Sequence, residues 1–149
     1  MHAREQIRQA LLPYLQVAAF GPRVYPSRVR AVDPARLGGP CLLVACGDEL
    51  IASGPGEPSA LQQRTLEIIL RIVAKADLPN LDQQLAEALL QLEQALVAAG
   101  SLGGRLPAGL LPVSVQAGID ESLEMPLGTL QLICHVSYSV YADAPDRII

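Results

Sequence analysis

The most regular hydrophobic pattern in the chain is a leucine stripe between residues 80 and 100. Its members recur at three- and four-residue spacing, which places them on one face of a helix: Leu81, Leu85, Leu89, Leu92 and Leu96. Asn80, followed three positions later by Gln83, predicts an N-cap, and Gly100 predicts the stop. We therefore predict an amphipathic helix whose leucine stripe packs on a sheet.

A second helix is predicted at the start of the chain, where Ile7, Leu11 and Leu15 are four residues apart. Pro13 removes a backbone donor, so it bends or ends a helix at that point. The pattern is compatible either with a short helix ending at Leu12 or with a longer kinked helix reaching about Ala19.

Two stretches predict strands near the middle of the chain. Residues 41–46 are continuously apolar and follow Gly38-Gly39-Pro40, which is typical of a central strand covered on both faces. Residues 47–61 mix glycine, proline, serine and acids, and predict an exposed loop or hairpin tip. In residues 64–75 every second residue is apolar, so the apolar side chains lie on one side of an extended chain and predict a long strand. Ile69 and Val73 also make the spacing compatible with a helix.

Two more strands are predicted near the end of the chain, where apolar and polar residues alternate over 113–119 and again over 130–140. A Gly/Pro-rich loop at 100–112, an acidic turn at 120–126 and a polar tail at 142–149 surround them. Residues 125–142 lack Asp, Glu, Lys and Arg, which is long enough for a membrane span. The alternation indicates a half-buried strand instead.

These elements predict an α+β fold, with a two-layer arrangement of about five mixed or antiparallel strands and two helices on one face. A further short edge strand is expected at Val24-Tyr25 and 28–30, interrupted by Pro26. We expect one domain over residues 1–149. The second sheet face is expected to be only partly polar, and such a face often meets another subunit. Its apolar members are Ile69, Val73, Ile133 and Tyr141.

The amino-acid composition and charge disfavour several classes of nucleic-acid-binding protein. Aromatic residues are 3% of the chain and tryptophan is absent, which disfavours stacking platforms for single-stranded nucleic acid. The net charge of −4 argues against a general binder of the phosphate backbone, and we expect no direct sequence-specific nucleic-acid binding. Nine basic and six acidic residues lie in 1–75 (+3), and two basic and nine acidic in 76–149 (−7). This split is either chance scatter or a means for one subunit face to attract a different face of its neighbour.

The chain offers no pattern typical of catalysis. Cys41 and Cys46 are five residues apart and would point to opposite strand faces, while Cys134 and His135 also diverge, so no metal site is expected. A nucleophile elbow, a P-loop and a dinucleotide fingerprint are all lacking. We expect no enzyme, no cofactor and no catalytic residue. An odd cysteine count without a signal peptide fits a reducing cytosol.

The candidate functional residues are therefore charged positions suited to an interface. Four arginines fall within 14 residues with Asp33 as the only acid, which indicates either a protein-binding edge or a solvated basic one. The acids lie in predicted turns, where solvent accounts for their charge. The interface candidates are Arg23, Arg28, Arg30, Arg36, Asp48, Glu49, Glu57, Arg64, Asp120, Glu121 and Glu124.

The order of the elements resembles that of the tail terminator proteins of long-tailed bacteriophages, the minor tail protein U type. After the leading helix, the resemblance is carried by the phrases RVYPSRVR, GGPCLLVACGDE, RTLEIILRIVAKA, NLDQQLAEALLQLEQAL and LQLICHVSYSVY. It spans nearly the whole chain and consists of size, element order and short apolar phrases, without a diagnostic motif.

The resemblance implies a hexameric ring that binds the finished end of the tail tube, stops tube growth and presents a surface to the head–tail connector protein. It implies a virion tail component assembled in the bacterial cytoplasm, without cofactor or membrane. Two alternatives remain open: a neck or tail-completion protein of the same virion, and a small-molecule-binding α+β domain. Tail length distinguishes the first alternative, and a deep pocket with convergent polar groups would indicate the second.

Overall fold

The computed structural model describes residues 1–26, 38–53, 60–122 and 124–149 as a five-stranded sheet with two helices on one face. This confirms the predicted α+β fold. The helices are α1 (Ala3–Leu11) and α2 (Leu78–Ala99). The strands are β1 (Val24–Tyr25), β2 (Cys41–Ser53), β3 (Leu61–Lys75), β4 (Leu110–Asp120) and β5 (Leu127–Tyr141).

The strand order is β1-β2-β3-β5-β4, so β3 is central and β1 and β4 are the edges. All neighbours are antiparallel except β1, which runs parallel to β2. The ladder between β3 and β5 is continuous from Leu61 opposite Tyr141 to Lys75 opposite Leu127. The charge-free stretch 125–142 thus contributes a sheet strand, as its alternation predicted. None of the helices in the described ranges is long and apolar enough to span a bilayer.

Helix α1 takes the shorter of the two predicted forms. It ends at Leu11, and Pro13 lies in the following 3₁₀ turn, Leu12–Leu15, where its missing donor is tolerated. The His2 ring caps the start of α1, because its Nδ1 accepts from the Arg4 amide at 3.1 Å. The apolar stripe that begins at Ile7 is fully buried.

Helix α2 begins earlier than predicted. Its N-cap is Asp77 rather than Asn80, because Pro79 is accommodated in a first turn, where no intrahelical donor is needed. The Asn80 amide donates to the Asp77 carboxylate at 3.0 Å instead of capping the helix. The predicted end is confirmed: Gly100 follows with a left-handed φ of 54°.

Strand β2 is twice as long as predicted. The expectation of a loop from residue 47 is wrong for 47–53, because the strand resumes after a bulge between Cys46 and Glu49 and pairs with β3 as far as Ser53. Cross-strand pairing thus overrides the weak strand propensity of the local sequence. Residues 54–59 lie outside the described ranges.

The remaining strands are close to their predictions. Strand β4 begins at Leu110, within the predicted loop, and a second bulge lies between Pro112 and Ser114. Strand β1 is an edge strand as expected, and residues 28–30 lie outside the described part of the chain. Helix α2 presses closely on β5, where a Cβ added at Gly128 would stand 2.8 Å from Leu85 Cδ1.

Candidate assembly interface

Strand β4 exposes its apolar side chains. Its register places Val115 and Ile119 on the helix-bearing side of the sheet, opposite Leu132 and Gly128 of β5. Leu132 is 1% exposed, whereas Val115 is 44% exposed and Ile119 is 52% exposed. Leu111 and Val113, near the start of the strand, are also more than half exposed. A strand with the pattern of a half-buried element therefore has its apolar side in solvent.

The position of α2 explains this exposure. The helix contacts β3 and β5, and its buried stripe lies over the middle of the sheet. Glu93, on the exposed flank of α2, lies near Cys134 of β5, where its charge helps to raise the pKa of the buried thiol. Strand β4 therefore lies beyond the part of the sheet that α2 covers.

The opposite sheet face is more polar at β4. Arg71 of β3 donates to the Gln131 amide oxygen at 2.7 Å, and Gln131 donates in turn to Gln116 of β4 at 3.4 Å. Of the apolar residues expected on this face, Ile69 and Ile133 face each other half-buried. The other two differ, since Val73 is buried and Tyr141 is exposed. The expected partly polar face is thus present across β3, β5 and β4.

Two of the predicted interface residues, Glu49 and Arg64, are bonded inside the subunit. The Glu49 side chain is 7% exposed and lies 3.4 Å from Arg64 Nη1 and 3.5 Å from Arg4 Nη1. The Tyr138 hydroxyl donates to the same carboxylate. The expectation that solvent balances the Glu49 charge is wrong, because the bulge in β2 turns this side chain inward, toward two arginines.

This Glu49 cluster fastens helix α1 to the sheet. Arg4 of α1 also donates to the Gly47 carbonyl at 2.7 Å, and Arg64 Nη1 lies 3.3 Å from His2 Nε2. Burial and the hydrogen bond to Glu49 raise the pKa of the Tyr138 hydroxyl, so it remains a donor at neutral pH. Charged groups that are buried and mutually bonded serve the fold of the subunit rather than a surface.

The other predicted interface residues divide into three groups. Arg23 is half-buried and donates to the Ala19 and Pro40 carbonyls at 3.0 and 2.9 Å, so it ties two connections together. The exposed acids are Asp48, Asp120, Glu121 and Glu124. The positions outside the described ranges are Arg28, Arg30, Arg36 and Glu57.

Three of the exposed acids lie at the far end of β4. Asp120 is its last residue, and the Ser122 hydroxyl and amide donate to its carboxylate at 2.6 and 3.0 Å. These hydrogen bonds lower the Asp120 pKa, so the charge is kept at neutral pH. The structure thus brings an acidic turn together with the apolar edge strand.

Two cysteine thiols of the sheet, those of Cys46 and Cys134, have raised pKa values. Burial first, and then the charge of Glu93, raise the pKa of Cys134 to about 11, and burial raises that of Cys46. Over the ranges the structure describes, no three His, Cys, Asp or Glu side chains come together as a metal site. Cys46 and Cys134 are therefore protonated at neutral pH.

The fold is shared with a virion protein. A chain from a structure of the virion of a native gene transfer agent particle matches with a TM-score of 0.51 and 22% sequence identity. The match covers 88% of this chain and 94% of the other. No protein-family model and no curated protein matches the sequence. At this identity the likeness concerns the fold.

Sequence reasoning missed the apolar edge and most of the buried cluster. The alternation of apolar and polar residues in β4 predicts an amphipathic strand. It does not predict which element covers the apolar side, because the order of strands in the sheet depends on the whole chain. Tyr138 occupies an inward position of β5 and Arg4 a turn of α1, so their meeting with Glu49 depends on the bulge in β2. No local signal indicates such a long-range contact.

Proposed function

We propose that this chain is a structural subunit of a phage-type virion, without enzymatic activity, and that it acts as a tail terminator. In this proposal, six copies form a ring on the head-proximal end of the tail tube. The ring stops the addition of tube subunits and presents its other side to the head–tail connector. Assembly takes place in the bacterial cytoplasm, and the ring is retained in the finished tail.

One observation carries the proposal: a fold like that of a chain in a gene transfer agent virion exposes a long apolar edge strand. An uncovered strand with large apolar side chains is a liability in a solitary protein and is normally protected. Association with another protein subunit would cover the strand and so prevent uncontrolled aggregation through it. The resemblance in element order to tail terminators supports the more specific role.

The proposed ring needs four different contact surfaces on each subunit: one side for each neighbour, one rim for the tube and one rim for the connector. The uncovered β4 edge and its acidic turn can supply one side contact. The polar face carrying Arg71, Gln116 and Gln131 is a separate surface, available to a different partner. The subunit thus has the chemical asymmetry that a cap requires.

Tail length is the test. The gene is deleted from the particle-producing strain, complemented with the wild-type gene, and the tails are measured by electron microscopy. A terminator predicts overlong tails after deletion and normal length after complementation. Tails of normal length without heads would contradict termination and support a neck or tail-completion protein instead. Unaltered particles would contradict both virion roles.

A further inference from the structure

The outer edge of β4 lacks the usual protection of an edge strand. Beyond the bulge at Pro112, residues 114–119 contain no charge, proline or further bulge. Within the described ranges no other strand pairs with this side of β4. Residues 114–119 offer a row of backbone donors and acceptors roughly 20 Å long.

The sheet order separates the two charge halves of the chain. Residues 1–75, with a net charge of +3, supply β1, β2 and β3, whereas residues 76–149, with a net charge of −7, supply β5 and β4. The β4 edge ends in the exposed acids Asp120, Glu121 and Glu124. One edge of the subunit is therefore acidic, and the other belongs to the basic half.

The edge opposite β4 carries a groove that matches this chemistry. It lies between α1 and the end of β1, has a volume of about 540 Å³, and is lined by Arg8, Gln9, Leu12, Pro13, Gln16 and Pro26. The lining is apolar apart from two glutamine amides and the Arg8 guanidinium, which is paired with the neighbouring Glu5 carboxylate. Arg8 is held in place by Glu5 and by the Pro26 carbonyl, to which it donates at 2.7 Å.

The acidic end of β4 has the complementary composition. Ile119 and Met125 are 52% and 41% exposed and lie beside Asp120, Glu121 and Glu124. Apolar side chains flanked by acids suit an apolar groove that carries the exposed amides of Gln9 and Gln16 and lies in the half of the chain with a net positive charge. The apolar contact supplies affinity, and the opposite net charges of the two halves supply orientation. The donor and acceptor surfaces lie on opposite edges, so the contact is head-to-tail and can close into a ring.

We propose that the β4 edge and acidic turn of one copy dock on the α1–β1 groove of the next copy. The occupant of the apolar edge is thus a second copy of this chain. This inference rests on the proposed ring function and specifies its side contact.

Two complementary variants test the contact. The edge variant carries Asp120→Lys, Glu121→Lys and Glu124→Lys, and the groove variant carries Gln9→Glu and Gln16→Glu. Both sets of positions are exposed, and neither includes the buried Glu49 cluster. A matched control carries Glu87→Lys, Asp143→Lys and Asp146→Lys, which reverses the same number of charges at exposed positions away from the β4 edge.

Sedimentation velocity gives the assembled fraction of each protein alone and of an equimolar mixture, with the tail-tube protein present as a template. Each interface variant alone should associate about tenfold more weakly than wild type, as expected for the loss of a few exposed charge contacts. The mixture should recover, because lysine edges meet glutamate grooves and unaltered edges meet unaltered grooves. The control should associate like wild type.

Two failures are distinguishable. If wild type remains monomeric both alone and with tube protein, the proposed ring function fails. If wild type assembles but both interface variants assemble equally well, or if mixing does not improve on either variant alone, the edge-to-groove contact is wrong and the ring function stands. Thermal melting of each variant verifies that the subunits are folded.

Discussion

The covered and uncovered parts of the sheet differ although their sequence patterns are alike. One row across the sheet joins Leu70 of β3, Leu132 of β5 and Val115 of β4, all on the helix-bearing side. Their exposed fractions are 0%, 1% and 44%. The alternation that marks a buried strand thus recurs in a strand that its own subunit leaves uncovered. The alternating pattern of a strand therefore indicates that one of its sides is suited to burial. It does not indicate whether the covering surface belongs to the same subunit or to another one.

The largest difference between the two regions should appear on truncation of their apolar side chains. Leu70→Ala leaves a cavity under α2 and should lower the free energy of unfolding by about 2–5 kcal/mol. Val115→Ala, two strands away in the same row, should change it by less than about 0.5 kcal/mol in the isolated subunit. Urea unfolding measures both, and equal losses would contradict the assignment of Val115 to an uncovered surface.

Two neighbouring acids of β2 allow the same comparison between a buried and an exposed side chain. Glu49→Gln leaves Arg64 buried without its counter-charge and should destabilise the subunit by about 3 kcal/mol. The neighbouring Asp48→Asn is the matched control, because Asp48 is exposed and should be nearly neutral. Chemical unfolding at neutral pH gives both values. If Glu49→Gln left the free energy of unfolding unchanged, the Glu49 cluster would not be what holds α1 on the sheet.

Two glycines in adjacent strands compare the helix-covered face of the sheet with the opposite face. At Gly128 an added Cβ would stand 2.8 Å from Leu85 Cδ1 in the core, so Gly128→Ala should cost about 1–3 kcal/mol. At Gly118, which pairs with Thr129 on the sheet face away from the helices, an added Cβ would meet only the Thr129 hydroxyl at 2.9 Å, and that side chain is half-buried and can rotate. Gly118→Ala should stay within about 0.5 kcal/mol. Thermal unfolding of the two variants compares them, and the reverse ranking would contradict the position of α2.

The smallest effect concerns the thiol beneath α2. The pKa of Cys134 is raised from its ordinary value of 9 to about 11, so the folded state favours the protonated thiol. The resulting stability is complete below pH 9 and is lost as pH rises toward 11. The stability difference between wild type and Cys134→Ala should therefore shrink by about 1 kcal/mol from pH 8 to pH 10. Urea unfolding at both pH values measures it, and a constant difference would contradict burial of the thiol.

Much of the fold follows from the local pattern of apolar and polar residues. The elements that differ from their predictions depend on features that this pattern does not contain. The leucine stripe of α2 and the alternation of β3 and β5 are set by residues whose partners lie in the middle of the sheet, so period alone predicted them. The continuation of β2 beyond Gly47 depends on its pairing with β3 across a bulge, which local composition opposes. The predicted start of α2 at Asn80 is wrong because Pro79 fits the first turn, so the helix begins before it.

The candidate site was predicted only where it is local. The acidic end of β4 was identified from its charges, and the structure places Asp120, Glu121 and Glu124 in solvent beside the apolar edge. The inward turn of Glu49 and Arg64 follows from long-range contacts that no spacing rule contains. The exposure of β4 follows from strand order, which is a property of the whole sheet.

Amide hydrogen exchange of β4, Leu110–Asp120, in the free subunit and in the tube-bound assembly tests the central claim most directly. The account predicts that the β4 amides on the side away from β5, which lie at the sheet edge in the described part of the free subunit, slow at least about tenfold on assembly as the strand is covered. The central β3 amides, already protected, should change little. Equally fast exchange of β4 in the assembled state would contradict the claim that this edge joins one copy to the next.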